Sequence, residues 1–147
     1  MEDAVWAAVR FLHVLSAMLW VGGQLTVSLV VLPLARRTLD GERRSVVLTG
    51  VGRRFGLLTA TFFLPVQLAT GVALAWSTGV TWASLAEPGY GRVLVAKLLL
   101  FCMVMAAASG HSLASTRGHT GLARVLAVTS LVTSVGVVLV ATLLPRL

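Results

Sequence analysis

The sequence predicts an all-α integral membrane protein, a four-helix bundle of up-down-up-down topology. Three observations carry that prediction. Of 147 residues, 57% are hydrophobic and 12% charged. Mean hydropathy is +0.93. Four long stretches, 11–35, 55–86, 98–116 and 125–145, contain no Asp, Glu, Lys or Arg. A soluble domain carries about twice that charged fraction. Crossing a hydrocarbon core of roughly 30 Å takes about 20 helical residues. A single apolar segment in lipid must satisfy its own backbone, so each span is predicted to be a helix. Composition thus argues against a free cytosolic enzyme, a nucleic-acid module and a disordered tail.

The first helix is predicted over 5–34. Its start is acidic (Glu2, Asp3) and its apolar run long, whereas a cleavable signal peptide needs a basic start and a short apolar core. Leu39-Asp40-Gly41 reads as a turn, followed by a short basic stretch at the headgroups. The second helix is predicted over 55–77, where Ser77-Thr78-Gly79 is a turn signal. The main external segment, Ser77 to Gly89, holds Trp82, Glu87 and Pro88. The third helix, 91–115, must begin before Lys97, because the charge-free run after it is tight for a span. The fourth is predicted over 123–144. Residues 1–147 read as a single transmembrane domain.

The arginines orient the chain. Arg36, Arg37, Arg43, Arg44, Arg53 and Arg54 lie between helices 1 and 2, and Arg117 and Arg124 between helices 3 and 4. The other side has only Arg10, Arg92 and Arg146. The positive-inside rule puts the arginine-rich connections in the cytoplasm and both termini outside, and Trp6, Trp76, Trp82 and Tyr90 fall at the outer helix ends as an aromatic belt. The net charge of +7 therefore reads as orientation and contact with anionic lipid, not as nucleic-acid binding. A lone Cys102 allows no intrachain disulfide and leaves the redox compartment open.

Charged groups inside a span are functional candidates by default. Here there is one, Lys97, about six residues in from the outer end of helix 3. Snorkelling to the headgroups is the plain alternative. His13 lies about eight residues into helix 1. At 1.5 Å per residue the two depths differ by only a few ångströms, so the pair can share a site in the outer leaflet. Trp20 and Gln24 lie near the face of His13, and Gly22 and Gly23 admit a close helix neighbour. Gln67 is placed near mid-membrane beside the kink expected at Pro65, where it can bond to freed backbone. His111 falls about 21 Å deeper than Lys97 by helix rise, and with His119 outlines an alternative inner metal site. Thr129, Ser130, Thr133 and Ser134 form one stripe suited to helix packing. Cys102, Met103 and Met105 are soft ligands for Cu(I) but point in different directions around one helix. No span holds a carboxylate, which disfavours acid–base dyads and hard-metal sites.

The segment Phe11-Leu12-His13-Val14-Leu15-Ser16-Ala17-Met18-Leu19-Trp20-Val21-Gly22-Gly23 resembles the first helix of CopD-type copper-resistance membrane proteins. Arg53-Arg54-Phe55, Thr70-Gly71, Tyr90-Gly91-Arg92 and Lys97-Leu98 follow that family's pattern in order. Residues 53–115 look like most of the CopD domain. The first-helix histidine, the tryptophan with glycines after it and the later lysine also resemble HemJ, the small membrane protoporphyrinogen oxidase associated with haem b. Full CopD proteins usually carry more spans. The Asn-Arg common after helix 3 is Gly110-His111-Ser112 here, and the Pro-Arg of HemJ is Pro33-Leu34.

The resemblance implies a multi-pass protein of a bacterial cytoplasmic membrane that handles copper in uptake or resistance. His13 would be a ligand, helped by Met18 or by a partner subunit, His111 would be a metal ligand at the separate inner site, and a periplasmic copper protein would be the partner. The objection is electrostatic, since a protonated lysine repels a cation by several kcal/mol at an effective dielectric near 20. The second reading is a haem b redox protein with His13 as axial ligand, Lys97 on a propionate, Trp20, Gln24 and Gln67 around the cofactor, and a separate redox partner. A homodimer across Gly22-Gly23 would supply a second histidine. The third reading is a non-catalytic four-helix scaffold in the bilayer.

Overall fold

The computed structural model describes residues 2–142, the side chain of Glu2 excepted. Among them there is no strand, and four helical segments are long and apolar enough to cross a membrane: Asp3–Thr38, Gly41–Ser77, Tyr90–Thr116 and Thr120–Ala141. The all-α, four-helix class predicted from the sequence is the class found. In chain order the elements are α1 (Glu2–Thr26), a π-helical turn (Val27–Val31), α2 (Leu32–Thr38), α3 (Gly41–Leu58), a second π-helical turn (Thr59–Phe63), α4 (Leu64–Ser77), a 3-10 turn (Ser84–Ala86), α5 (Tyr90–Thr116) and α6 (Thr120–Ala141). The chain divides between Gly79 and Val80 into two compact units, each an antiparallel helical hairpin.

In the first hairpin both limbs carry a proline two residues after a π turn, Pro33 in α2 and Pro65 in α4. Proline brings no N–H, and its ring collides with the carbonyl four residues back. A π turn inserts one extra residue and opens room there, so each limb continues through its proline. The Thr59 and Thr61 hydroxyls donate back to the carbonyls of Phe55 and Leu57 in the second of these turns.

The connection between these limbs differs from the sequence expectation. Helices ending at 34 and restarting at 55 left a basic stretch at the headgroups, whereas only Leu39 and Asp40 are non-helical. Asp40 is the N-cap of α3, its carboxylate accepting the Arg43 N–H at 2.9 Å, and Glu42 lies in the first turn, where the helix dipole favours negative charge. Arginine is itself a good helix former. The charges end the apolar run without ending the helix.

The second hairpin follows its expected bounds more closely. α5 begins and ends one residue outside 91–115, and α6 starts at Thr120 rather than 123. The expected end of that helix at 144, and Arg146, lie outside the described residues. Thr81 and Ser84 cap each other reciprocally before the 3-10 turn. Gly91 is buried against that turn, and a Cβ there would run into the Ser84 carbonyl oxygen. The hydroxyl stripe of α6 packs as predicted. Ser130, Thr133 and Ser134 are buried, Ser134 donates to the Ser130 carbonyl, and Thr133 donates to Met103 Sδ on α5.

Candidate functional site around His13

Polar side chains of the first hairpin meet in the half nearer its open end. On α1, His13, Ser16 and Trp20 follow helical spacing and share the face turned to α4. On α4, Gln67 and Thr70 lie three residues apart and are buried. His13 Nδ1 lies 2.8 Å from Thr70 Oγ1, and His13 Nε2 lies 3.0 Å from the Gln67 amide nitrogen. Ser16 Oγ is 2.6 Å from Gln67 Oε1 and 3.0 Å from the His13 carbonyl oxygen. Thr70 Oγ1 also bonds the Val66 carbonyl. A Cβ at Gly71 would stand 3.4 Å from His13 Cε1, so the glycine lets the imidazole lie close against α4.

The donor order assigns the tautomer. Because the Thr70 hydroxyl proton goes to Val66, Thr70 accepts from His13 Nδ1–H. His13 Nε2 then holds the lone pair and accepts from the Gln67 amide, whose oxygen accepts from Ser16. This is a neutral imidazole with Nδ1 pinned. A metal-ligating histidine is oriented in the same way, its other ring nitrogen donating to a fixed acceptor.

Deeper along the same face, Trp20 is buried between two phenylalanines. Its ring stacks on Phe63 at 4.6 Å between centroids and on Phe55 at 5.2 Å. Gly23 makes room for Phe55, since a Cβ there would approach Phe55 Cε2 to 2.5 Å. The π turn at Thr59–Phe63 aims Phe63 at Trp20. Gln24 follows on α1, half-buried.

Of the predicted site residues, the structure brings His13 and Gln67 into direct contact and places Trp20 two turns below. Gln67 does not bond to backbone freed by Pro65, because the π turn has absorbed that proline; its partners are His13 and Ser16. Met18 is 65% exposed and stands five residues, about 140°, around the helix from His13, so the two do not converge. Lys97 and His111 belong to the second hairpin. Lys97 is half-buried and makes no hydrogen bond or ion pair among the described residues. His111 Nδ1 lies 2.8 Å from the Ala123 carbonyl oxygen, an N–H donor bond that ties α5 to α6. No group of three His, Cys, Asp or Glu able to hold a metal ion occurs among the described residues. Ser16, Thr70, Phe55 and Phe63 were not picked out as site residues from the sequence. The signal for Ser16 and Thr70 was present in the three-residue spacings His13–Ser16 and Gln67–Thr70.

No protein-family model matches the chain, and neither a curated protein nor a solved structure matches it.

Proposed function

We propose that the chain is a CopD-like membrane protein that binds haem b through His13 and serves membrane redox chemistry. The observation that supports this reading is the single imidazole with Nδ1 fixed on Thr70 and its Nε2 lone pair turned to an exchangeable amide partner. A porphyrin brings four nitrogens of its own and needs one axial histidine from the protein. A copper ion needs several protein donors, and Met18, on the same helix, does not converge with His13. Copper at His13 would draw its remaining ligands from outside the first hairpin.

His13 would supply the axial nitrogen, with Thr70 holding the ring orientation and the tautomer. Gln67 gives up one hydrogen bond when Nε2 is taken, and Ser16 retains the His13 carbonyl as its alternative acceptor. The Phe63–Trp20–Phe55 stack packs the same helix face next to this cluster. The bound group supplies one-electron redox chemistry.

The test is the visible spectrum of detergent-purified protein, oxidised and reduced, from cells supplied with a haem precursor, with His13→Ala beside it. A Soret band that shifts on reduction and is absent from the variant supports the reading. A colourless wild-type protein sinks it. Copper titration of that sample then separates copper handling from a scaffold role.

A further inference from the structure

The limbs of the first hairpin stay helical past the end of the apolar run. They hold 36 and 37 residues, about 54 Å of helix at 1.5 Å per residue. The hydrocarbon core is roughly 30 Å thick, and the bilayer with its headgroups about 40–45 Å. A limb of that length crosses the whole bilayer, headgroups included, at a tilt of about 34°, inside the usual range of 0–40°.

Interhelical contacts set the levels along the hairpin. The His13–Thr70 bond brings Trp6 and Trp76 to a common level, one suited to an aromatic belt. Gly23 packs on Phe55, so Arg53 and Arg54 lie near the level of Thr26. Leu39 and Asp40 close the tip, with Arg36 and Arg37 on one limb and Arg43 and Arg44 on the other. With Trp6 at one boundary of the core, this tilt puts Arg53 and Arg54 about 25 Å down the membrane normal and Arg36 about 37 Å down it. Arg53 and Arg54 then sit roughly 5 Å inside the far boundary of the core. Both are exposed, and side chains of this length snorkel to the interface. The four tip arginines lie in the far headgroup layer itself.

An upright hairpin would instead hold its tip about 15 Å beyond the Arg54 level. Two features favour the tilt. Leu29, Leu34 and Val46, which are 67%, 57% and 69% exposed, lie between the Arg54 level and the tip. Tilting draws them toward the acyl chains, where apolar surface is favoured. Charge acts in the same direction. The four tip arginines are balanced by only two carboxylates, Asp40 and Glu42, and Asp40 is paired with Arg43 at 3.5 Å. A basic segment is attracted to an anionic leaflet only within about a Debye length of its surface, roughly 8 Å. The tilt brings the whole tip inside that distance.

We propose that the arginine-tipped end of the first hairpin binds the headgroups of anionic phospholipids, and that this contact holds the hairpin tilted across the bilayer. The occupant follows from charge complementarity and from continuity, since the tip prolongs the apolar surface that the spans present to lipid.

The test uses the full chain in nanodiscs of phosphatidylcholine, with or without phosphatidylglycerol. In a Cys102→Ala background, Val47→Cys reports on the tip and Leu57→Cys on the core, each read by its rate of reaction with a membrane-impermeant maleimide. Phosphatidylglycerol is expected to slow labelling of Val47→Cys at least about tenfold, and high salt to reverse the effect. Changing Arg36, Arg37, Arg43 and Arg44 together to Gln removes the protection. Changing all four to Lys retains it, which separates loss of charge from loss of fold. Leu57→Cys stays unreactive in both lipids. Equal labelling of Val47→Cys in the two lipids overturns the proposal: rapid labelling in both leaves the tip in water, open to a soluble partner or a second copy, and protection in both makes the tilt independent of anionic lipid. Protection by phosphatidylglycerol that survives the four Gln changes, or reaction of Leu57→Cys, overturns it as well.

Discussion

His13 and Thr70, separated by 57 positions in the chain, are joined through Nδ1 and Oγ1 at 2.8 Å. Because Thr70 Oγ1 is itself bonded to the Val66 carbonyl, its acceptor lone pair is held in a fixed direction and so is the ring. Thr70→Val removes the acceptor and leaves the Nδ1–H without this partner inside a helix pair. Interhelical hydrogen bonds in membranes are worth about 0.6 kcal/mol on average and up to about 1.7. A loss near the upper value is expected, since a part-buried donor loses this acceptor. Thr70→Ser restores most of it. Thermal unfolding of the three proteins in detergent checks the order.

Gln67 competes for the nitrogen that a ligand would use. Gln67→Leu removes that competitor, and the Ser16 hydroxyl can turn to the His13 carbonyl, 3.0 Å away. If Nε2 is the ligating atom, this variant binds added haem about fivefold more tightly, the equivalent of one net hydrogen bond of roughly 1 kcal/mol. Spectrophotometric haem titration of wild type and variant reads it. An affinity lower than wild type would assign Gln67 a direct role in holding the ligand.

Adjacent glycines should respond differently. A Cβ on Gly23 would come within 2.5 Å of Phe55 Cε2, while nothing lies within 4 Å of one on Gly22. Gly23→Ala forces the Phe55 ring off its stack with Trp20 and is expected to cost about 1–3 kcal/mol, as overpacking does. Gly22→Ala is expected to be neutral or stabilising by up to about 1 kcal/mol, from the higher helix propensity of alanine. Denaturation midpoints in one detergent compare them directly.

The spans were legible because lipid imposes a length and excludes charge, and both are written in composition. Pairing between helices was not. In helices apolar on every side, hydrophobic periodicity does not say which face turns inward. The π turns before Pro33 and Pro65 add a residue to each limb and shift which residues oppose each other. His13 and Gln67 could be named from the sequence, but their contact could not. Thr70 was hidden further, because a hydroxyl in a lipid-embedded helix ordinarily bonds back to its own backbone, and Thr70 does so while also meeting His13. The helix across the 35–54 connection is hidden for the opposite reason. Its charge marks the end of the apolar run and not the end of the helix.

That connection yields the last prediction. The two long limbs are separated by two non-helical residues, and Asp40 is the side chain that restarts the helix, its carboxylate 2.9 Å from the Arg43 amide nitrogen. Replacing a helix N-cap by alanine costs about 0.5–2 kcal/mol. Asp40→Ala is therefore expected to fray the first turn of α3 and destabilise the hairpin tip by about 1 kcal/mol, with Asp40→Asn close to wild type because asparagine caps equally well. The loss should be local, since His13, Ser16, Gln67 and Thr70 bond to one another far from the tip. Hydrogen exchange reads both parts at once. The amides of Arg43 and Arg44, both bonded to Asp40, should lose protection in Asp40→Ala while those around Gln67 keep theirs. Uniform loss along both limbs would mean instead that the tip and the histidine cluster unfold together.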